Sequence, residues 1–148
     1  MACPFFMPTS RFDDGGWIHP ARLPLGSGWK GRCCAPGHEG VVPTADELRE
    51  LCNLGYSADC SRIPKDRPYD AVRFSVVRNC ASHLTLGFVC EAAHLPAAHG
   101  TLDYDLGLRK WTSPHSDPRI QQMAECYLES YLGRRTHPAL EGLSSTNS

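Results

Sequence analysis

The stretch Tyr69-Asp70-Ala71-Val72-Arg73-Phe74-Ser75-Val76-Val77-Arg78-Asn79 decides how the second half of the chain folds. Val72, Phe74 and Val76 fall on one side of a period-two pattern, and Arg73 and Ser75 on the other. Successive side chains of a strand point to opposite faces, so this pattern reads as a half-buried strand. The alternation returns twice. In residues 83–91, Leu84, Leu86, Phe88 and Cys90 share a face; in residues 101–106, Leu102, Tyr104 and Leu106 stand opposite Thr101, Asp103 and Asp105. These segments predict a three-stranded antiparallel meander joined by Asn79-Cys80-Ala81-Ser82 and by a longer loop over residues 94–100.

One apolar sheet face needs a cover, and residues 118–132 read as the helix that provides it. Asp117 suits the cap, Pro118 the first helical position and Gly133 the end. Ile120, Met123, Ala124, Tyr127 and Tyr131 form its stripe, with Cys126 off to the side. Residues 136–148 read as a flexible tail.

Toward the N-terminus the signals change. Residues 1–43 contain six Pro and seven Gly, a density that predicts no regular element. Yet Phe5, Phe6, Trp17 and Trp29 lie there and must be buried somewhere. A long irregular segment that lacks ladders of its own lies over a core or is pinned by a crosslink or a metal. At Thr44-Ala45-Asp46-Glu47 a capping box opens a short helix over residues 45–53, with Leu48, Leu51 and Cys52 on one face. The whole is expected to be one α+β domain over residues 1–135. Its irregular Pro/Gly-rich part, residues 1–68, is held by a cysteine metal site, and residues 69–135 form a three-stranded sheet covered by a C-terminal helix.

Eight cysteines in 148 residues call for a role. The start, Met1-Ala2-Cys3-Pro4-Phe5-Phe6-Met7-Pro8, has no basic, apolar leader pattern, so the expectation is a cytoplasmic protein with reduced thiols and no membrane span. Fifteen basic residues against 16 acidic ones give no excess of positive charge for a nucleic acid. Cys3, Cys34, Cys52 and Cys60 are the expected ligand set, with Cys33 and His38 as alternates. Four thiolates suit an iron–sulfur cluster, most simply [4Fe-4S], or a tetrahedral zinc. Structural zinc prefers close C-x2-4-C pairs, and the chain has no C-x-x-C, so the cluster comes first and zinc is the alternative.

The N–H groups around Gly55 and Tyr56 are candidate donors to the cluster, and Phe5, Phe6, Trp17 and Trp29 are candidate shields against water. Arg62, Lys65 and Arg67 form a basic group next to Cys60 suited to an acidic redox partner. Cys33 or Cys34 with His38 would also suit a thiol enzyme, and His94 with His99 a weak metal pair, but Pro96 breaks the helix that a paired-histidine motif needs. Cys80, Cys90 and Cys126 read as structural. No nucleophile elbow, P-loop or dinucleotide fingerprint occurs. The functional expectation is therefore a small iron–sulfur protein that passes electrons to a partner or uses the cluster structurally or as a sensor. It is not expected to be an enzyme on its own. The other class is a zinc-stabilised interaction module without redox chemistry.

Overall fold

The Pro- and Gly-rich segment forms a hairpin. Strand β1 (Phe6–Arg11) pairs antiparallel with β2 (Trp29–Cys33), in a computed structural model that describes residues 2–12, 23–54, 56 and 60–136. The roles given to Trp17 and Gly55, and to the tail beyond residue 136, lie outside those residues. The expectation of an irregular N-terminal half is thus corrected. The register shifts between Pro8 and Ser10, a bulge at which a strand tolerates the missing proline N–H. Gly31 lies so close to the facing strand that a Cβ there would run into the Met7 carbonyl. Proline at an irregularity and glycine at a close approach therefore serve the hairpin.

Two hydrogen bonds between Ala2 and Val72, 2.7 and 2.8 Å, fasten the start of the chain to the larger sheet. The metal staple is corrected with the irregularity. Backbone pairing and apolar packing hold this part, and among the described residues no three His, Cys, Asp or Glu side chains are grouped to hold a metal ion.

The capping box forms as read: Thr44 and Glu47 exchange bonds of 3.2 and 2.8 Å. Helix α1 (Ala45–Glu47) then widens into a π-helical turn, Leu48–Cys52, closed by Asn53 N–H on the Leu48 carbonyl. The wider turn delivers Leu48 to the core and leaves Leu51 and Cys52 half-buried.

The main sheet has four strands in the order β3 (Ala71–Asn79), β4 (His83–Ala92), β5 (Leu95–Asp105) and β6 (Lys110–Ser113), all antiparallel. The expected three strands become four, and the expected loop over residues 94–100 is strand from Leu95 onward. The turn is only Ala93-His94, both in the left-handed region at φ 52° and 64°. Such two-residue turns usually announce themselves by Asn-Gly or Asp-Gly, which this turn lacks. Pro96 fits because β6 pairs only with Asp103–Asp105, leaving the other end of β5 an edge.

Helix α2 (Pro118–Thr136) packs against both β1 and β3 and runs three residues past Gly133. Ile120, Met123 and Cys126 join the N-terminal segment in one apolar cluster, while Ala124 and Leu128 join Leu84, Leu86 and Leu102 in another. Cys126, off the sheet stripe, is buried because the helix has this second neighbour. Among the described residues no helix is long and apolar enough to cross a membrane.

Candidate functional site: a four-thiol pocket

Cys3, Cys33, Cys52 and Cys60 line one apolar pocket beside Phe5 and Phe6. Four separate pieces of chain supply them, and each is placed by its backbone. Cys3 opens a turn closed by Phe6 N–H on its carbonyl at 3.1 Å, with Pro4 in the position where a fixed φ favours turning. Its own N–H donates to the Cys52 carbonyl at 3.2 Å, which joins two of the four segments directly. Cys33 ends β2 opposite Phe6 and donates to Val41 at 2.8 Å. Cys52 ends the π-helical turn. Cys60 accepts from Ile63 N–H at 3.3 Å, closing a turn just before Ile63 lines the same pocket.

Asn53 locks this arrangement. Its side chain, 1% exposed, accepts from Trp29 N–H at 3.2 Å and donates to the carbonyls of Trp29 and Leu48 at 3.0 and 2.9 Å. One amide thereby joins the end of the π-helical turn to the start of the strand that carries Cys33. Sequence reading assigned Asn53 only to the end of a helix, since no periodicity marks a polar side chain that bonds a distant backbone.

A clasp holds Tyr56. Tyr56 donates its hydroxyl to Glu91 at 2.6 Å and stacks on His94, ring centroids 4.1 Å apart. Tyr56 N–H bonds the Asp70 carbonyl at 3.2 Å rather than a cluster sulfur. The His94–His99 pairing does not form: His94 is in the turn and His99 is within β5.

The pocket favours the neutral form of Cys3, Cys33 and Cys52. Burial pushes the Cys3 thiol up to about 11, and Cys52 to about 12. The other thiols push further in the same direction, because four adjacent thiolates repel when nothing positive lies among them. Cys33 is raised too, first by burial. Against this, Ala35 N–H reaches the Cys33 sulfur at 3.4 Å. Hydrogen bonds of this kind favour the thiolate and are also what tunes an iron–sulfur cluster.

Of the expected ligand set, the pocket gathers Cys3, Cys52 and Cys60, and the alternate Cys33 takes the place given to Cys34. Cys34 instead lines a separate surface groove with Met7 and Asp117. His38 lies in a turn, bonded through its backbone to Ala35 and Val41, and does not line the pocket. The basic group is largely engaged locally: Arg62 pairs with Glu47 at 3.0 Å and Arg67 with Asp70 at 2.5 Å. Cys90 and Cys126 are core residues, and Cys80 is exposed beside the β3–β4 turn. Comparison with protein-family models, curated proteins and solved structures returns no match.

Proposed function

We propose that the four-thiol pocket binds an iron–sulfur cluster, [4Fe-4S], through Cys3, Cys33, Cys52 and Cys60, and that the protein passes single electrons to a protein partner. The observation that carries this reading is the convergence of four thiols from four segments on one apolar pocket, with the Ala35 N–H directed at the Cys33 sulfur. Separated loops suit a cluster, whose irons and sulfides stand between the thiolates. Around a single zinc the sulfurs would close to about 3.8 Å, given Zn–S bonds of about 2.3 Å in a tetrahedron. No such single-ion grouping occurs among the described residues. Phe5 and Phe6 exclude water, which with the Ala35 N–H sets the potential. Backbone pairing and apolar packing hold the hairpin and the helix, so the cluster is assigned a redox role.

One observation favours zinc as a second reading. The pocket encloses about 20 Å³, less than a cluster needs, so loading requires a wall to move outward. Cys60 is the ligand placed to do so, since it lies outside the strands and helices that carry or bond the other three.

The test is reconstitution of the full chain with iron and sulfide under anaerobic conditions. The expected result is a brown protein with iron and sulfide in equal amounts, a paramagnetic signal after dithionite, and loss of both in Cys52→Ser. A colourless protein holding one zinc per chain supports the interaction module instead, and no bound metal overturns both.

A further inference from the structure

One backbone hydrogen bond joins two of the pocket's thiol-bearing residues: the Cys3 N–H donates to the Cys52 carbonyl at 3.2 Å. A bond of that kind places the two Cα atoms about 5–6 Å apart, inside the window of about 4.4–6.8 Å that a disulfide spans. Direction matters as much as separation, because Cβ vectors that point apart cannot be bridged. Here both side chains line the same pocket, so the vectors converge. The space between the walls is small, about 20 Å³, and a disulfide adds no atom to the two sulfurs already there, so it forms with no wall moved outward. Neither backbone is free to drift. Cys3 lies in the turn closed by Phe6 and follows Ala2, which is bonded twice to Val72. Cys52 is held at the end of the π-helical turn by the Asn53 amide on the Leu48 and Trp29 carbonyls. Both residues are free thiols in this structure.

We propose that Cys3 and Cys52 form a reversible disulfide by exchange with a small-molecule disulfide of the glutathione class, which makes this pair a redox site of the metal-free chain; neither the site nor its chemistry depends on a bound cluster. Exchange begins at Cys52, which is half-buried, whereas Cys3 is buried. The Cys52 sulfur, its proton given to solvent, attacks one sulfur of the oxidant. A Cys52–glutathione bond forms, the oxidant's S–S bond breaks, and one glutathione leaves as thiolate and takes up a proton. The Cys3 sulfur, deprotonated in turn, attacks the Cys52 sulfur and expels the second glutathione. Two protein thiols are thus oxidised, and one glutathione disulfide is reduced to two glutathiones. The second step is intramolecular, between residues already held side by side, so it outruns a second exchange from solution. Oxidation ties the start of the chain to the π-helical turn, and the sulfurs it consumes no longer offer thiolates to a metal.

The experiment uses the full chain, reduced and freed of metal with a chelator, then equilibrated without oxygen in glutathione buffers of rising disulfide content. After acid quenching and alkylation, peptide mass mapping locates each oxidised sulfur. The expected product is a cross-linked peptide pair joining Cys3 to Cys52, free of glutathione and reversed by dithiothreitol. Exposed Cys80, which stands apart from the pocket, supplies the internal comparison. Cys3 and Cys52 should be half oxidised at a ratio of glutathione disulfide to glutathione about tenfold or more below the one that half modifies Cys80. Cys3→Ala should stop the reaction after its first step, leaving glutathione on Cys52. Cys3 and Cys52 that stay reduced while Cys80 carries glutathione overturn the proposal, and so does a cross-link that maps to Cys33 or Cys60 instead. If Cys3→Ala does not fold, the mapping of the unsubstituted protein decides alone. A chain that takes up iron and sulfide but forms no Cys3–Cys52 bond loses this redox site and keeps the cluster reading. One that forms the bond but takes up no iron and sulfide does the reverse.

Discussion

Cys33 and Cys34 are neighbours in the chain and serve different surfaces: Cys33 lines the pocket with Cys3, Cys52 and Cys60, and Cys34 lines the groove with Met7 and Asp117. Strand geometry is the cause, because Cys33 is the last residue of β2 and consecutive side chains there point apart. The two serine variants should therefore differ. Cys33→Ser is expected to lose most of its iron and sulfide after reconstitution, whereas Cys34→Ser keeps the full complement. Iron and sulfide assays per chain decide it, and equal loading of the two variants would remove Cys33 from the site.

Asn53 is expected to matter more than its absence from the ligand set suggests. Asn53→Ala leaves the Trp29 N–H and two carbonyls without their buried partner, and each such group costs about 1–3 kcal/mol. A loss near 3 kcal/mol is expected in urea unfolding, after allowing for relaxation around the gap. Cluster content should fall with it, since the amide joins the Cys52 turn to the Cys33 strand. A variant of parental stability would show that the three bonds contribute little.

Ala93 and His94 make the β4–β5 turn at φ 52° and 64°, where a Cβ is costly. Ala93→Gly should raise stability by roughly 0.5–1 kcal/mol, the relief of left-handed strain exceeding the extra freedom of the unfolded chain. The Ala93 N–H bond to Asp70 survives the change. His94→Gly relieves similar strain but removes the ring stacked on Tyr56, so it should gain less. Urea midpoints of the two variants, compared with the parent, test the ordering.

Stability should fall at alkaline pH through core thiols outside the pocket. Burial pushes Cys90 up to about 11 and Cys126 to about 12 from an ordinary value of 9.0. Above pH 9 the unfolded chain releases protons that the folded chain retains, so unfolding becomes easier as pH rises. The stabilisation is complete below pH 9 and is lost as pH climbs toward 11 and 12. Each thiol contributes a slope of at most about 1.4 kcal/mol per pH unit over that range. Cys3 and Cys52 carry the same sign in the metal-free protein. Urea midpoints of metal-free protein near pH 8 and pH 10 should show the fall, and a Cys90→Ala/Cys126→Ala double variant should lessen it, Cys3 and Cys52 keeping the remainder. An equal fall in that variant would place the titration elsewhere.

The sequence by itself determined the elements whose cause is local. Period-two alternation marked β3, β4 and the second half of β5, because the pleat alone sorts those side chains. Thr44 with Glu47, and Asp117 with Pro118, marked both helix starts, because capping involves only nearby backbone donors. It also singled out Cys3, Cys52 and Cys60, which the fold brings together. Tertiary structure decided the rest. The β1–β2 hairpin depends on Gly31 meeting Met7 across the strands, and the Ala93-His94 turn on Asp70 and Tyr56 reaching it from other segments. The choice of Cys33 over Cys34 depends on which face of β2 meets the Cys3 turn. Arg62 entered the pocket through a carboxylate fifteen residues away, and Asn53 locked it through a strand twenty-four residues away. These contacts join residues with no shared period, so their energies arise only when packing has closed the distance.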